Sequence, residues 1–172
     1  MSKIAIASTA LAALILAACG GSAPPPVAGP AVERGIFISS GDCTDSKKLT
    51  AEQCEKAIDA AVAQYDELAV AYKTVHLCEA VAGTERCVKS VDGKYRARLQ
   101  AFFVVMSATP TAVPLYPPQV SNAAFQSMSK QIISAKDETI FVTAAAATLA
   151  NENAKLPGPV TDTVSAAAAD IH

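Results

Sequence analysis

Four cysteines, Cys43, Cys54, Cys78 and Cys87, fall within one stretch of a 172-residue chain that has no tryptophan and only 5% aromatic residues. The composition is 51% apolar, but much of that is alanine, so any core is small and needs covalent staples. The spacing C-x10-C-x23-C-x8-C lacks the close cysteine pair of a structural zinc site, so two disulfides are expected and neither a metal nor a cofactor is. Three pairings exist. If a helix follows Cys54 to about Ala71, its far end lies ~25 Å away, and a bridge from Cys54 to Cys78 would force the chain to double back almost fully extended. Local bridges, Cys43 to Cys54 and Cys78 to Cys87, are favoured, each closing a short loop at a gain of about 3 kcal/mol in the entropic account. The crossed pairing, Cys43 with Cys78 and Cys54 with Cys87, stays open.

A fifth cysteine closes the amino-terminal apolar run. Lys3 precedes an almost uninterrupted apolar stretch from Ile4 to Leu16, the layout of a secretory signal, and too short to span a bilayer. Leu16-Ala17-Ala18-Cys19 resembles the lipobox of bacterial lipoproteins. That resemblance implies cleavage before Cys19, acylation of its thiol, and an oxidising compartment in which the other four cysteines pair. Each buried methylene contributes ~0.8 kcal/mol, so two or three acyl chains hold a protein on a bilayer. Gly20, where inner-membrane lipoproteins carry aspartate, points to the outer membrane. An ordinary signal with an incidental cysteine is the alternative.

The expected organisation is a signal peptide at 1–18, a proline-rich tether at 19–34, a cysteine-braced globular domain at 35–118, and an alanine-rich, partly disordered region at 119–172. A strand is expected from Gly35 to Ser40, broken by Ser40-Gly41-Asp42. A helix is expected from Ala51 to Ala71, opened by the capping box of Thr50 and Gln53, with Cys54, Ile58, Ala61, Tyr65 and Leu68 on one apolar stripe. A second helix should run from Val75 to Ala82 between the cap Thr74 and the terminator Gly83. Arg86 to Val91 and Lys94 to Met106 flank Asp92-Gly93, a two-residue hairpin signal. Ala101 to Met106 is apolar on both faces and must be covered. Prolines from Thr109 to Val120 leave no regular element expected there, and Ser121 to Asn153 reads equally as helices or strands. The fold class is therefore α+β: a small disulfide-braced domain of two helices and a β-hairpin between low-complexity tails.

Asp42-Cys43, Cys54, Ala69-x-x-Tyr72, Thr74, Cys78, Gly83 and Cys87, followed by Leu99 to Met106 and Pro114-Leu115-Tyr116, resemble the YgiB-like family of uncharacterised bacterial lipoproteins. Val70 and Ala82 depart from the family's proline and aromatic at those places. The resemblance covers roughly half of the mature chain and brings no activity with it.

No phosphate loop, His-Glu metal motif or serine elbow is present, and His76 and Cys78, two apart on a helix, point in different directions. No catalytic residue is assigned. The formal charge of −2 argues against nucleic acid as a partner. With Asp92-Gly93 as the turn, Lys89, Lys94, Arg96 and Arg98 would share one hairpin face. Nearby carboxylates such as Glu79 or Glu85 would neutralise it, or it contacts an anionic envelope component. The expected role is that of a non-enzymatic structural or binding lipoprotein, anchored to the outer membrane and facing the periplasm or the cell surface, with an envelope protein as another partner class. A periplasm-facing enzyme or enzyme accessory subunit is the alternative.

Overall fold

The computed structural model describes residues 32–120 and 122–157. The expected signal, Cys19, most of the tether, and residues 158–172 of the tail, including His172, lie outside these. The elements are β1 (Glu33–Phe37), α1 (Ser40–Asp45), α2 (Ala51–Leu68), α3 (Val75–Ala82), β2 (Cys87–Lys89), β3 (Tyr95–Ala97), β4 (Ala101–Met106), β5 (Thr111–Tyr116), β6 (Ala124–Ser127), β7 (Ile132–Ser134), β8 (Phe141–Val142) and α4 (Ala144–Asn153).

Six strands form one mixed sheet in the order β7-β6-β5-β4-β1-β8, and β2 and β3 form a separate ribbon. Only the β1–β8 pair is parallel; β1–β4, β4–β5, β5–β6 and β6–β7 run antiparallel. Alternation along the strands divides the core into two layers. Phe37, Phe102 and Val104 pack against Cys43 of α1 and Cys54, Ile58 and Ala61 of α2. Ile36, Ala101, Leu115, Phe125 and Ile133 pack on the other side against Ala146 and Ala150 of α4. The two-sided apolar run of Ala101–Met106 thus has its cover within the chain, as a central strand between two helical layers.

The caps form as the sequence signals them. Thr50 accepts from the Gln53 N–H at 3.2 Å, while the Gln53 side chain accepts from the Thr50 N–H at 3.0 Å. Thr74 accepts from the Leu77 N–H, and α3 spans the expected residues. Helix α2 ends at Leu68 rather than Ala71, because the next segment is drawn into a backbone bridge in which Tyr72 and Tyr95 exchange two 2.8 Å hydrogen bonds.

The sequence expectation needs correction in three places. The first strand runs over Glu33–Phe37 rather than Gly35 to Ser40, and Ser40-Gly41-Asp42, beyond its end, opens helix α1, with Ser39 accepting from the Asp42 N–H at 3.1 Å as N-cap. The Asp42 carboxylate accepts from the Ile38 N–H at 2.9 Å and the Thr143 hydroxyl at 2.8 Å, which joins the end of β1 to the cap of α4. Second, the proline-rich stretch contains strand β5, with Pro114 opposite Phe102. It is tolerated because β6 pairs only with Leu115 and Tyr116; the earlier half of β5 has a neighbour on one side alone, where a missing N–H interrupts no ladder. Third, the folded unit does not stop at 118. Residues 124–153 supply three strands and α4, so the molecule is α+β with a six-stranded sheet rather than two helices and a hairpin.

Both bridges are local: Cys43 joins Cys54 with Cα atoms 5.8 Å apart, and Cys78 joins Cys87 at 6.2 Å. The first ties α1 to the opening turn of α2; the second ties α3 to β2. At the other end of the core, Gln100 and Asn153 exchange two side-chain hydrogen bonds of 2.9 Å, and Asn153 also donates to the Ala124 carbonyl at 2.9 Å. Asn153 is fully buried, so Asn153→Ala strands polar partners in an apolar layer. A loss of about 2 kcal/mol is expected in urea unfolding; an unchanged midpoint would contradict the role given to this pair.

Candidate functional site

The hairpin sets where its cations point. Cys87 pairs with Ala97, Val88 with Arg96 and Lys89 with Tyr95. The Ser90 N–H donates to the Lys94 carbonyl at 2.7 Å and the Gly93 N–H to the Ser90 carbonyl at 2.9 Å. The loop is therefore Val91-Asp92-Gly93, three residues long, with Gly93 at φ 79°, a conformation that glycine adopts without steric cost. Asp92 favours this loop, because its carboxylate accepts from the Lys94 N–H at 3.1 Å and grips the Arg96 guanidinium at 3.0 and 2.9 Å.

One residue of register moves a side chain to the other face, so Lys89 does not share a face with Arg96. It lies with Cys87, Tyr95 and Ala97, while Lys94, Arg96 and Arg98 alternate onto the opposite side. The same shift takes Cys87 off the arginine face and sets its bridge toward α3. The partner of Arg96 is Asp92, whose hydrogen bonds with that guanidinium hold the Asp92 carboxyl below its ordinary range and raise Arg96. Arg98 donates to the Glu85 carbonyl at 3.0 Å, and the Glu79 carboxylate is used by the Glu85 N–H. Lys89 and Lys94 are exposed and make no ion pair among the described residues. Between them Val91 stands fully exposed at the tip.

A second feature lies behind the hairpin. Arg86 is wholly buried. Its Nε donates to the Pro118 carbonyl at 2.6 Å, and its Nη1 to those of Thr84 at 3.0 Å and Pro157 at 2.8 Å. Its Nη2 is buried without a hydrogen-bond partner, and no carboxylate makes an ion pair with it among the described residues. Burial pulls the guanidinium below its usual range, and Glu85 partly opposes the shift. Gly83, at φ +99°, makes room for it: a Cβ there would lie 2.8 Å from Arg86 Nη1.

Arg86 lines an apolar groove of about 240 Å³ between the ends of α2, α3 and β5 and the β6–β7 loop. Leu68, Val70, Val81 and Met128 reach into it while 52%, 63%, 48% and 37% exposed. Its floor includes Tyr116, whose ring lies 6.0 Å from that of Tyr65. The Tyr65 hydroxyl donates to the Ala97 carbonyl at 3.0 Å. Burial raises both phenols, and Tyr116 is pushed up to about 12. The arrangement can hold an apolar segment beside a cation. No sequence signal marks Arg86, since an arginine satisfied by three carbonyls has no linear pattern.

His76 is exposed on α3, and the thiol of Cys78 is used in its bridge. Among the described residues no cluster of His, Cys, Asp or Glu could hold a metal ion, and no helix is long and apolar enough to cross a membrane.

No curated protein and no solved structure matches the chain significantly. One family model, described as a protein of unknown function (DUF1190), matches residues 31–166. That span takes in every described strand and helix, including both disulfides, the buried arginine and the groove, and the chain accordingly belongs to the DUF1190 family.

Proposed function

We propose that this protein is a YgiB-like lipoprotein of the bacterial outer membrane, held there through acylated Cys19, and that its domain has a non-enzymatic binding role, resting the β2–β3 hairpin on an anionic envelope surface. The observation that carries the contact is the hairpin tip, where Lys89 and Lys94, with no ion pair among the described residues, flank fully exposed Val91. Each lysine near an anionic bilayer contributes about 1 kcal/mol, and a bare valine between them adds apolar contact at the headgroup level. Arg96 and Arg98 serve the hairpin itself. The two disulfides support the location, because such bridges persist outside the reducing cytosol.

Two measurements test the two halves. Cells fed labelled palmitate should label the wild-type protein and leave Cys19→Ala unlabelled; equal labelling would remove the anchor. The purified Cys19→Ala protein should bind phosphatidylglycerol vesicles, with affinity falling as salt rises. Lys89→Glu with Lys94→Glu should weaken binding at least tenfold, whereas undiminished binding of that variant would dismiss the hairpin contact.

A further inference from the structure

We propose that the groove beside Arg86 is a binding site for a single-chain fatty carboxylate, with its acyl chain along Leu68, Val70, Val81 and Met128 and its carboxylate beside the guanidinium. The charge balance of the lining carries this. Two cations, buried Arg86 and exposed Lys130, line the groove among the described residues, and no carboxylate does. Three backbone carbonyls hold Nε and Nη1 of Arg86, but its Nη2 is buried with no hydrogen-bond partner. A buried cation without a counter-charge is costly. A carboxylate accepts from such an N–H in a hydrogen bond roughly twice as strong as a neutral one.

The rest of the lining selects the body of the ligand. The four apolar side chains are half-exposed, so each gains burial from an apolar chain laid over it. The amides nearby are already used: the Gln119 side chain donates to the Val81 carbonyl, and the Gln126 side chain accepts from the Gln119 N–H. A peptide in the groove would bring backbone polar groups that this lining leaves unmet, at a cost for each; an acyl chain brings none. At about 240 Å³ the groove is smaller than the ~300–1,000 Å³ of pockets that enclose drug-sized molecules, which suits one short chain and not a two-chain phospholipid. Because Nη2 is buried, the carboxylate reaches it as neighbouring side chains shift, and Met128 and Lys130 are unbranched and have the length to do so. The site is independent of the lipid anchor and of the hairpin contact, so it stands or falls apart from them.

The test titrates decanoate, isotopically labelled at its carboxylate, into the full chain carrying Cys19→Ala and follows binding by NMR. One bound decanoate per protein is expected, and each methylene removed from the chain should weaken binding by up to about fourfold. Decanol, with the same chain and no charge, should bind at least tenfold more weakly. Arg86→Met should weaken decanoate at least tenfold and leave decanol unchanged. Val81→Asp, on the exposed side of α3, should weaken both, and it keeps the test decisive if melting curves show that Arg86→Met disturbs the fold. Lys89→Glu with Lys94→Glu should bind decanoate as the wild type does, which separates this site from the hairpin. No binding of decanoate, equal binding of decanol, or undiminished binding by either groove variant would overturn the proposal. Tighter binding of an acetylated tetrapeptide of leucine and valine would give the groove to a protein carboxyl terminus and overturn it equally.

Discussion

Replacing all four bridging cysteines by alanine is expected to leave most of the domain unfolded at 37 °C, whereas loss of either pair alone should leave a folded but weakened protein. Each bridge closes a loop of about ten residues, and the entropic account gives about 3 kcal/mol per loop. Two such losses approach the whole stability of a small domain, about 5–15 kcal/mol. The packing adds to this, since Cys43, Cys54 and Cys78 are completely buried and their sulfurs fill core space that alanine leaves empty. The bridges serve different places, one joining α1 to α2 and the other α3 to β2, so their effects should nearly add. Circular dichroism melts of the two paired variants and the fourfold variant check this. A fourfold variant that melts within a few degrees of the wild type would show that the sheet needs neither bridge.

Gly83→Ala is the single substitution expected to cost most, about 3 kcal/mol by urea unfolding. The backbone at φ 99° and ψ 158° lies in a region essentially restricted to glycine, with strain of about 1–3 kcal/mol for other residues. The added methyl would also sit 2.8 and 2.9 Å from Nη1 and Cδ of Arg86, and that side chain has no room to yield because three carbonyls hold it. A second substitution separates the two causes. Arg86→Met removes the clash and the buried charge, so Gly83→Ala should cost less in its presence, by about the clash contribution. Equal costs in both backgrounds would leave backbone strain as the whole effect.

What the sequence discloses and what it hides follow from the range of the forces involved. Thr50, Gln53, Thr74 and Gly83 act within a turn of their own helix, so α2 and α3 are legible from their neighbours alone. The local bridges are legible for the same reason. The hairpin register is not, because it depends on Asp92 reaching past the loop to Arg96, and a Val91-Asp92-Gly93 loop looks like an Asp-Gly turn until that contact is known. Pro114 hides β5, since its tolerance depends on where β6 begins to pair. Alanines at 144–147 suit a helix in any context, but the sheet face that α4 covers is assembled from β1, β4, β5, β6 and β7, too far apart in sequence to register locally. Arg86 is the extreme case: charged residues are almost never fully buried, and only the carbonyls of Thr84, Pro118 and Pro157 account for its position.

The place of β1 between β4 and β8 governs when this molecule can finish folding. Phe37 must await Phe102, and Gly35 must await Phe141, so the first of the described strands to be synthesised is among the last to find both neighbours. The loops closed by the cysteines can collapse early, and α1 and α2 cover Phe37, Phe102 and Val104, but the opposite layer is complete only when α4 has been synthesised. Such distant pairings slow folding and leave sticky strands bare in the meantime. A nascent chain ending before Val142 is therefore expected to leave Ile36, Leu115 and Phe125 without the helix that covers them.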